Sequence, residues 1–127
     1  MARILIVEDS PDNMKLFTAV LALSGHESTG LPDGTGLIPR IEVWKPTLIL
    51  MDIQLPGCDG YTLLDELREC GYVDIPVIAL TAHAMAGDEE RAMEAGFNGY
   101  ITKPIDVRSF PDQISRVLQG NAGTEIA

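Results

Sequence analysis

Side chains that could do chemistry follow four apolar runs, which are widely spaced along the chain. Glu8 and Asp9 follow the first run, and Asp52 closes the second. Thr81 follows the third run, and Lys103 comes shortly after the fourth. The runs occupy residues 3–7, 48–51, 77–80 and 99–101. A carboxylate at the end of an apolar strand has lost water on one side, so it must be paired with a cation, bound to a metal or used in a reaction.

These residue types suit phosphoryl chemistry if they meet at one place. Two carboxylates about 4 Å apart repel by about 4 kcal/mol at an effective dielectric constant of about 20, so three acids require a cation. Hard carboxylate oxygens favour Mg²⁺, which binds only one or two carboxylates directly. A carboxylate can also act as a nucleophile and form an aspartyl phosphate. We therefore predict that Asp52 attacks phosphorus, since positioning and electrostatics do most of the work in phosphoryl transfer. Mg²⁺ held by Asp9 and Asp52 would contact one phosphoryl oxygen, and Lys103 and Thr81 would contact the others.

The elements that must position these side chains alternate between strand and helix. Continuous apolar runs indicate buried parallel strands, and apolar residues at helical spacing indicate helices between them. The predicted strands cover residues 3–7, 26–29, 47–51, 75–80 and 100–101. The predicted helices cover residues 11–23, 34–43, 61–68, 88–95 and 107–118. Ser10 is expected to cap the first helix. Pro39 is expected to confine the second helix to the residues after it, and Pro111 to delay the start of the last one.

This alternation predicts an α/β fold with a doubly wound parallel sheet of five strands and five helices. In such a fold the carboxyl ends of all strands lie along one edge, and ligands bind there at the point where the strand order reverses. Residues that are distant in sequence are then neighbours in space. The three acids, Thr81 and Lys103 should therefore converge.

Composition and charge narrow the class of protein further. The chain has 127 residues, of which 46% are apolar, which predicts one domain with a single core. The net charge of −10 disfavours binding to nucleic acid or anionic lipid, and it favours cations and basic protein patches. No apolar stretch is long enough for a membrane span, and no signal peptide precedes the first strand. Cys58 and Cys70 have no metal-type spacing, so we expect free thiols and a cytoplasmic protein.

Over residues 3–119 the chain resembles the CheY-like receiver domain of two-component response regulators. The matching segments are Ile4-Leu5-Ile6-Val7-Glu8-Asp9, Leu50-Met51-Asp52-Ile53-Gln54-Leu55-Pro56-Gly57 with Asp59-Gly60, Pro76-Val77-Ile78-Ala79-Leu80-Thr81-Ala82 and Gly99-Tyr100-Ile101-Thr102-Lys103-Pro104. Each motif is weak alone, but together in this order and spacing they are specific. The resemblance implies a flavodoxin-like strand order of 2-1-3-4-5 and a receiver domain over residues 1–119. Residues 120–127 are expected to form a flexible tail.

The resemblance also implies a phosphorylation site and a metal. Asp52 would be the phosphoacceptor, and the donor would be a histidine kinase or a histidine phosphotransfer protein. Mg²⁺, for which Mn²⁺ is expected to substitute, would bind Asp9, Asp52 and the main-chain carbonyl of Gln54. Glu8 would act largely through water. Many relatives have two aspartates where this chain has Glu8 and Asp9, and the longer side chain is expected to alter metal affinity while keeping the role.

A switch and an output surface are implied in the same way. The Lys103–Pro104 peptide would be cis, a form that is accessible before proline. Thr81 and Tyr100 would form a coupled switch. Output would then go through the surface of the fourth helix, the fifth strand and the fifth helix, by binding a downstream protein. The protein would catalyse only its own phosphorylation and dephosphorylation, so it would not be an enzyme acting on other substrates.

Several alternatives remain open at the level of sequence. Residues 13–17 and 82–85 are similar to stand-alone cell-division regulators of the DivK type, but similar strings occur in receivers of hybrid histidine kinases. A phosphorelay intermediate is a further alternative. An aspartyl phosphatase is disfavoured, because the proton-donating acid usual two residues after the nucleophile is here Gln54. Each of these residues also has an ordinary structural interpretation when taken singly. Glu8 and Asp9 could simply cap a helix, Lys103 could be a surface lysine, and Tyr100 could be an ordinary half-buried tyrosine.

Overall fold

The computed structural model describes residues 2–55, 57–82, 85–120 and 123–124, and it shows the predicted parallel sheet. The strands are β1 (Arg3–Val7), β2 (Glu27–Leu31), β3 (Leu48–Asp52), β4 (Val77–Thr81), β5 (Gly99–Thr102) and β6 (Gly123–Thr124). All neighbours pair in parallel, in the order β2-β1-β3-β4-β5-β6. The predicted order of the first five strands is therefore confirmed.

The sheet differs from the prediction at its edge, where β6 makes a sixth strand. Gly123 and Thr124 pair with Gly99 and Tyr100 of β5. This pairing satisfies backbone groups that β5 would otherwise leave at an open edge. The other residues of the predicted tail, 121–122 and 125–127, lie outside the described part of the chain.

In the described part of the chain, five helices connect the strands, as predicted, and cover both faces of the sheet. They are α1 (Pro11–Leu23), α2 (Leu37–Trp44), α3 (Gly60–Glu69), α4 (Asp88–Ala95) and α5 (Phe110–Leu118). Side chains of α1 and α5 pack on one face of the sheet, and those of α2, α3 and α4 pack on the other. Because both faces are covered, β1, β3 and β4 are almost wholly buried, which is why they read as unbroken apolar runs.

Two proline predictions had different outcomes. The last helix does begin late, at Phe110, with Pro111 in its first turn. The second helix begins at Leu37, before Pro39, so the prediction that it follows Pro39 is wrong. Pro39 is the third residue of this helix, where an N–H group has no partner within the helix, so the missing N–H costs little there.

The segment after β3 contains a feature that the sequence did not predict. Gln54–Leu55 and Cys58–Asp59 form a two-residue antiparallel pair, with Gln54 opposite Asp59. Asp59 then caps α3, since its Oδ1 accepts a hydrogen bond of 2.9 Å from the Thr62 N–H. The chain thus turns tightly from the end of β3 into α3, which keeps the start of α3 next to Asp52.

Candidate functional site

The parallel sheet brings the predicted side chains together at the carboxyl ends of β1, β3, β4 and β5. Glu8 follows β1, Asp52 ends β3, and Thr81 ends β4 beside it, because Asp52 is opposite Leu80 in the register. Lys103 follows β5 and is anchored to β4 by a 2.7 Å hydrogen bond from its N–H to the Thr81 carbonyl. The predicted convergence is confirmed.

Lys103 bridges two carboxylates inside this site. Its Nζ lies 2.8 Å from Asp52 Oδ2 and 3.1 Å from Glu8 Oε1. The Glu8 side chain is fully buried, and the side chains of Asp52 and Lys103 are 2% and 12% exposed. Charges this poorly solvated require partners, so the ammonium group is a structural necessity as well as a chemical resource.

The remaining hydrogen bonds set the direction of each carboxylate. Glu8 Oε2 accepts from the Ser10 N–H at 3.2 Å, and Asp52 Oδ1 accepts from the Gln54 N–H at 2.8 Å. Ser10 also caps α1 as predicted, since its side chain accepts from the Asn13 N–H at 3.3 Å. Asp52 therefore has one donor on each of its two oxygens, namely Lys103 and the Gln54 amide.

Burial and charge act in opposite directions on the titration of this site. Burial raises the pKa of Glu8 above its ordinary value, although the Ser10 amide and the Lys103 ammonium oppose this shift. Burial alone would lower the pKa of Lys103, but the hydrogen bonds and charges of Asp52 and Glu8 raise it above its usual value. Lys103 is therefore a fixed positive charge at neutral pH.

The acids offer ligands suited to a hard divalent cation. One carboxylate oxygen each from Glu8, Asp9 and Asp52 lie within 4.8 Å of one another. Asp9 is exposed, whereas Glu8 and Asp52 are buried. Both oxygens of Glu8 already accept hydrogen bonds, from Lys103 and Ser10, which favours an indirect role for Glu8. The donor set fits Mg²⁺, which binds few carboxylates directly and retains water.

The other predicted residues are also placed by the fold. The Lys103–Pro104 peptide is cis, as predicted. Tyr100 lies in β5 and is only 3% exposed, so its interpretation as an ordinary half-buried tyrosine is wrong. It packs in the core between the sheet and the helices α2, α3 and α4. Gln54 follows Asp52 closely, and its side chain is exposed.

Two features of the site were not predicted from sequence. The first is the hydrogen bond by which the Gln54 N–H orients the Asp52 carboxylate. Aspartate side chains commonly accept such a bond from the backbone two residues further on, in an Asx turn. A cleft of about 350 Å³ adjoins Glu8 and Asp9 and is also lined by Pro11, Met14, Gly30 and Pro32. No local pattern could have revealed the cleft, because it lies between α1 and the end of β2.

Comparison with known proteins identifies the class. A family model described as the response regulator receiver domain matches residues 4–115. The chain therefore belongs to the response regulator receiver family, as its resemblance indicated. Polar-differentiation response regulators DivK from Brucella anthropi and Brucella ovis are 43% and 42% identical to it. Each alignment covers 91% of this chain and 94% of the relative.

Solved structures agree with this membership. A CheY-like response regulator receiver domain protein from Methanospirillum hungatei has a TM-score of 0.83 at 27% identity, covering 94% of this chain and 95% of that one. The signal receiver domain of a signal transduction histidine kinase from Syntrophus aciditrophicus has a TM-score of 0.81 at 31% identity. That alignment covers 94% of this chain and 92% of the other. Within the described residues, no helix has the length and apolarity needed to cross a membrane.

Proposed function

We propose that this receiver accepts a phosphoryl group on Asp52 from a histidine kinase or a histidine phosphotransfer protein. The observation that carries the proposal is the placement of a buried carboxylate between a lysine and a cluster of acids. Lys103 Nζ lies 2.8 Å from Asp52 Oδ2, and one carboxylate oxygen each from Glu8, Asp9 and Asp52 lie within 4.8 Å of one another. Few other reactions require a carboxylate, an ammonium group and a candidate metal site at one point.

The chain's own residues divide the work of phosphoryl transfer. Asp52 supplies the nucleophilic oxygen, and Lys103 supplies a fixed positive charge beside it, since its pKa is raised. Thr81, at the end of β4, would contact another phosphoryl oxygen. Mg²⁺ or Mn²⁺ held by Asp9, Asp52 and the Gln54 carbonyl, with Glu8 acting largely through water, would neutralise charge on the transferred group.

The expected output is phosphorylation-dependent protein binding. Thr81 and Tyr100 would act as a coupled switch that shifts the equilibrium between two states. The proposed output surface is formed by α4, β5 and α5. Met85 beside it is 75% exposed and offers an apolar contact, while the neighbouring Ala84 lies outside the described residues. The charge of −10 argues against nucleic acid as the partner, and we propose a cytoplasmic location with no membrane association.

The DivK relatives, which are polar-differentiation response regulators, support a stand-alone signalling receiver, and we propose that it acts in cell division. The likeness to a receiver of a histidine kinase favours the second candidate, a receiver of a hybrid kinase or a phosphorelay intermediate. The genomic reading frame distinguishes these two candidate functions. If the natural chain continues beyond Ala127 into a kinase, the stand-alone receiver is ruled out. We do not propose an enzyme for external substrates, since Gln54 stands where a phosphatase would need an acid.

The test of the phosphoacceptor is mass spectrometry after incubation with Mg²⁺ and acetyl phosphate. The protein should gain the mass of one phosphoryl group, and Asp52→Asn should gain none. Asp12→Asn, which changes an exposed aspartate of α1, is the matched control and should still be modified. Equal modification of the Asp52→Asn variant would refute the assignment. Transfer profiling against a panel of histidine kinases would then identify the donor.

A further inference from the structure

The Asp52 carboxylate is connected to α3 through one peptide unit. Its Oδ1 accepts a 2.8 Å hydrogen bond from the Gln54 N–H. That N–H belongs to the same peptide plane as the Ile53 carbonyl, which accepts a 3.2 Å hydrogen bond from the Gly60 N–H. Because a peptide unit is planar and rigid, a rotation at the Ile53 carbonyl also rotates the Gln54 N–H. The position of Gly60 and the direction of the carboxylate are therefore coupled.

Gly60 lies closer to the backbone of Asp52 and Ile53 than a residue with a Cβ atom could. A Cβ built at Gly60 would lie 2.7 Å from the Ile53 Cα and 3.1 Å from the Asp52 carbonyl oxygen. The Ile53 Cγ2 would also lie at 3.0 Å, but the nearest atom, the Ile53 Cα, belongs to the backbone, so rotation of a side chain cannot relieve the clash. Ile53 itself is held from the other side, since its N–H donates to the Leu80 carbonyl at 3.0 Å.

The backbone conformation of Gly60 does not explain its identity. It is the first residue of α3, where alanine has the better helix propensity. It is also absent from the glycines with positive φ. The absence of a Cβ is thus needed for the close approach to Ile53, rather than for a left-handed turn.

We infer that Gly60 is a positioning residue for the reaction at Asp52. It lets the start of α3 rest on the Ile53 backbone, and this contact holds the peptide whose N–H orients the nucleophilic carboxylate. The inference rests on the proposed function for its effect on phosphorylation. The orientation of the Gln54 amide can be measured without any phosphoryl transfer.

The test compares Gly60→Ala with Gly34→Ala. The Cβ of Gly34→Ala would press on α3 as well, but it would meet the flexible end of Leu63, with Cδ2 at 2.6 Å. In Gly60→Ala we expect the Gln54 amide resonance to move in ¹⁵N–¹H NMR spectra. We also expect the rate of phosphorylation by acetyl phosphate, per folded molecule, to fall about tenfold or more, since small misplacements of reacting groups are costly. In Gly34→Ala both should stay close to wild type.

A second pair of variants covers the case in which Gly60→Ala does not fold. Asp59→Ala removes the cap that fixes the first turn of α3, whereas Asp59→Asn retains a capping side chain. The alanine variant should move the Gln54 resonance and slow phosphorylation about twofold to fivefold, by partial loss of the same positioning. The asparagine variant should do neither.

The outcomes separate this inference from the proposed function. A folded Gly60→Ala protein with an unmoved Gln54 resonance and a wild-type rate would overturn the inference, as would equal behaviour of the two Asp59 variants. A merely structural role would lower the melting temperature without changing the rate per folded molecule. If the wild type accepts no phosphoryl group, the proposed function fails, and the Gln54 resonance still decides the role of Gly60.

Discussion

Replacing Lys103 with methionine should show how strongly the site depends on the Lys103 ammonium group. The substitution keeps much of the apolar stem and removes the charge. At an effective dielectric constant of about 20, the attractions over 2.8 Å to Asp52 and 3.1 Å to Glu8 are about 6 and 5 kcal/mol. Much of that attraction offsets the cost of burying the three charges, so the net effect is smaller than this sum.

The size of the loss follows from what remains after the substitution. Glu8 and Asp52 would face each other with oxygens within 4.8 Å, a repulsion of about 3 kcal/mol at the same dielectric constant. Removal of one partner from a buried ion pair typically costs about 3 to 5 kcal/mol. Glu8 can reduce the cost by taking up a proton, since burial already raises its pKa. We therefore expect a loss of about 3 kcal/mol in the free energy of unfolding at pH 7.

The assay is urea denaturation in EDTA and again in excess Mg²⁺. Mg²⁺ should stabilise Lys103→Met more than the wild type, because the cation then replaces the missing positive charge. The double variant Glu8→Gln/Lys103→Met should be more stable than Lys103→Met alone, because one of the two facing charges is gone. Lys15→Met on the exposed surface of α1 is the control and should change stability by less than about 0.5 kcal/mol. A loss below about 1 kcal/mol in EDTA, with no gain from Glu8→Gln, would refute this account of the ion pair.

Three further predictions concern the framework of the fold. Burial lowers the pKa of His26 below its ordinary value of 6.5, and its neutral Nδ1 accepts a 3.0 Å hydrogen bond from the Ala2 N–H. This stabilisation is complete above pH 6.5 and is lost as the pH falls through the lower folded-state pKa. Urea titrations between about pH 7 and pH 5 should therefore show a steeper loss of stability in the wild type than in His26→Gln, and parallel curves would contradict this. Ser10→Ala should lose about 1 kcal/mol in thermal or urea unfolding, because the Asn13 N–H loses its cap, and Ser10→Thr should recover most of it. Leu50→Ala in the buried strand β3 should lose about 2 to 5 kcal/mol in the same assay, and a loss below about 1 kcal/mol would show that the core collapses around the cavity.

Much of the architecture was predictable because its causes are local. Buried strands read as apolar runs, and each helix carries its own spacing, caps and breakers. One error was local, because the first turn of a helix tolerates a proline, and the other arose where a tertiary contact decides the outcome. Pro39 is accommodated in the first turn of α2, and β6 exists because it pairs with β5. Neither the open edge of β5 nor its partner can be seen within a short window of sequence.

The amino-acid sequence by itself determined which side chains stand at strand ends, because the apolar runs mark where each strand stops. It also determined that these ends meet, because alternating strands and helices place the carboxyl ends of parallel strands along one edge. Only the tertiary structure decided how they are used there. Lys103 and Glu8 are 95 positions apart in the chain, and their 3.1 Å contact depends on how β1 and β5 are placed in the sheet. The burial of Tyr100 and the backbone contact beneath Gly60 are settled by packing as well. Periodicity reports which face a residue occupies, whereas distances between remote groups are decided by the assembled sheet and the helices that cover it.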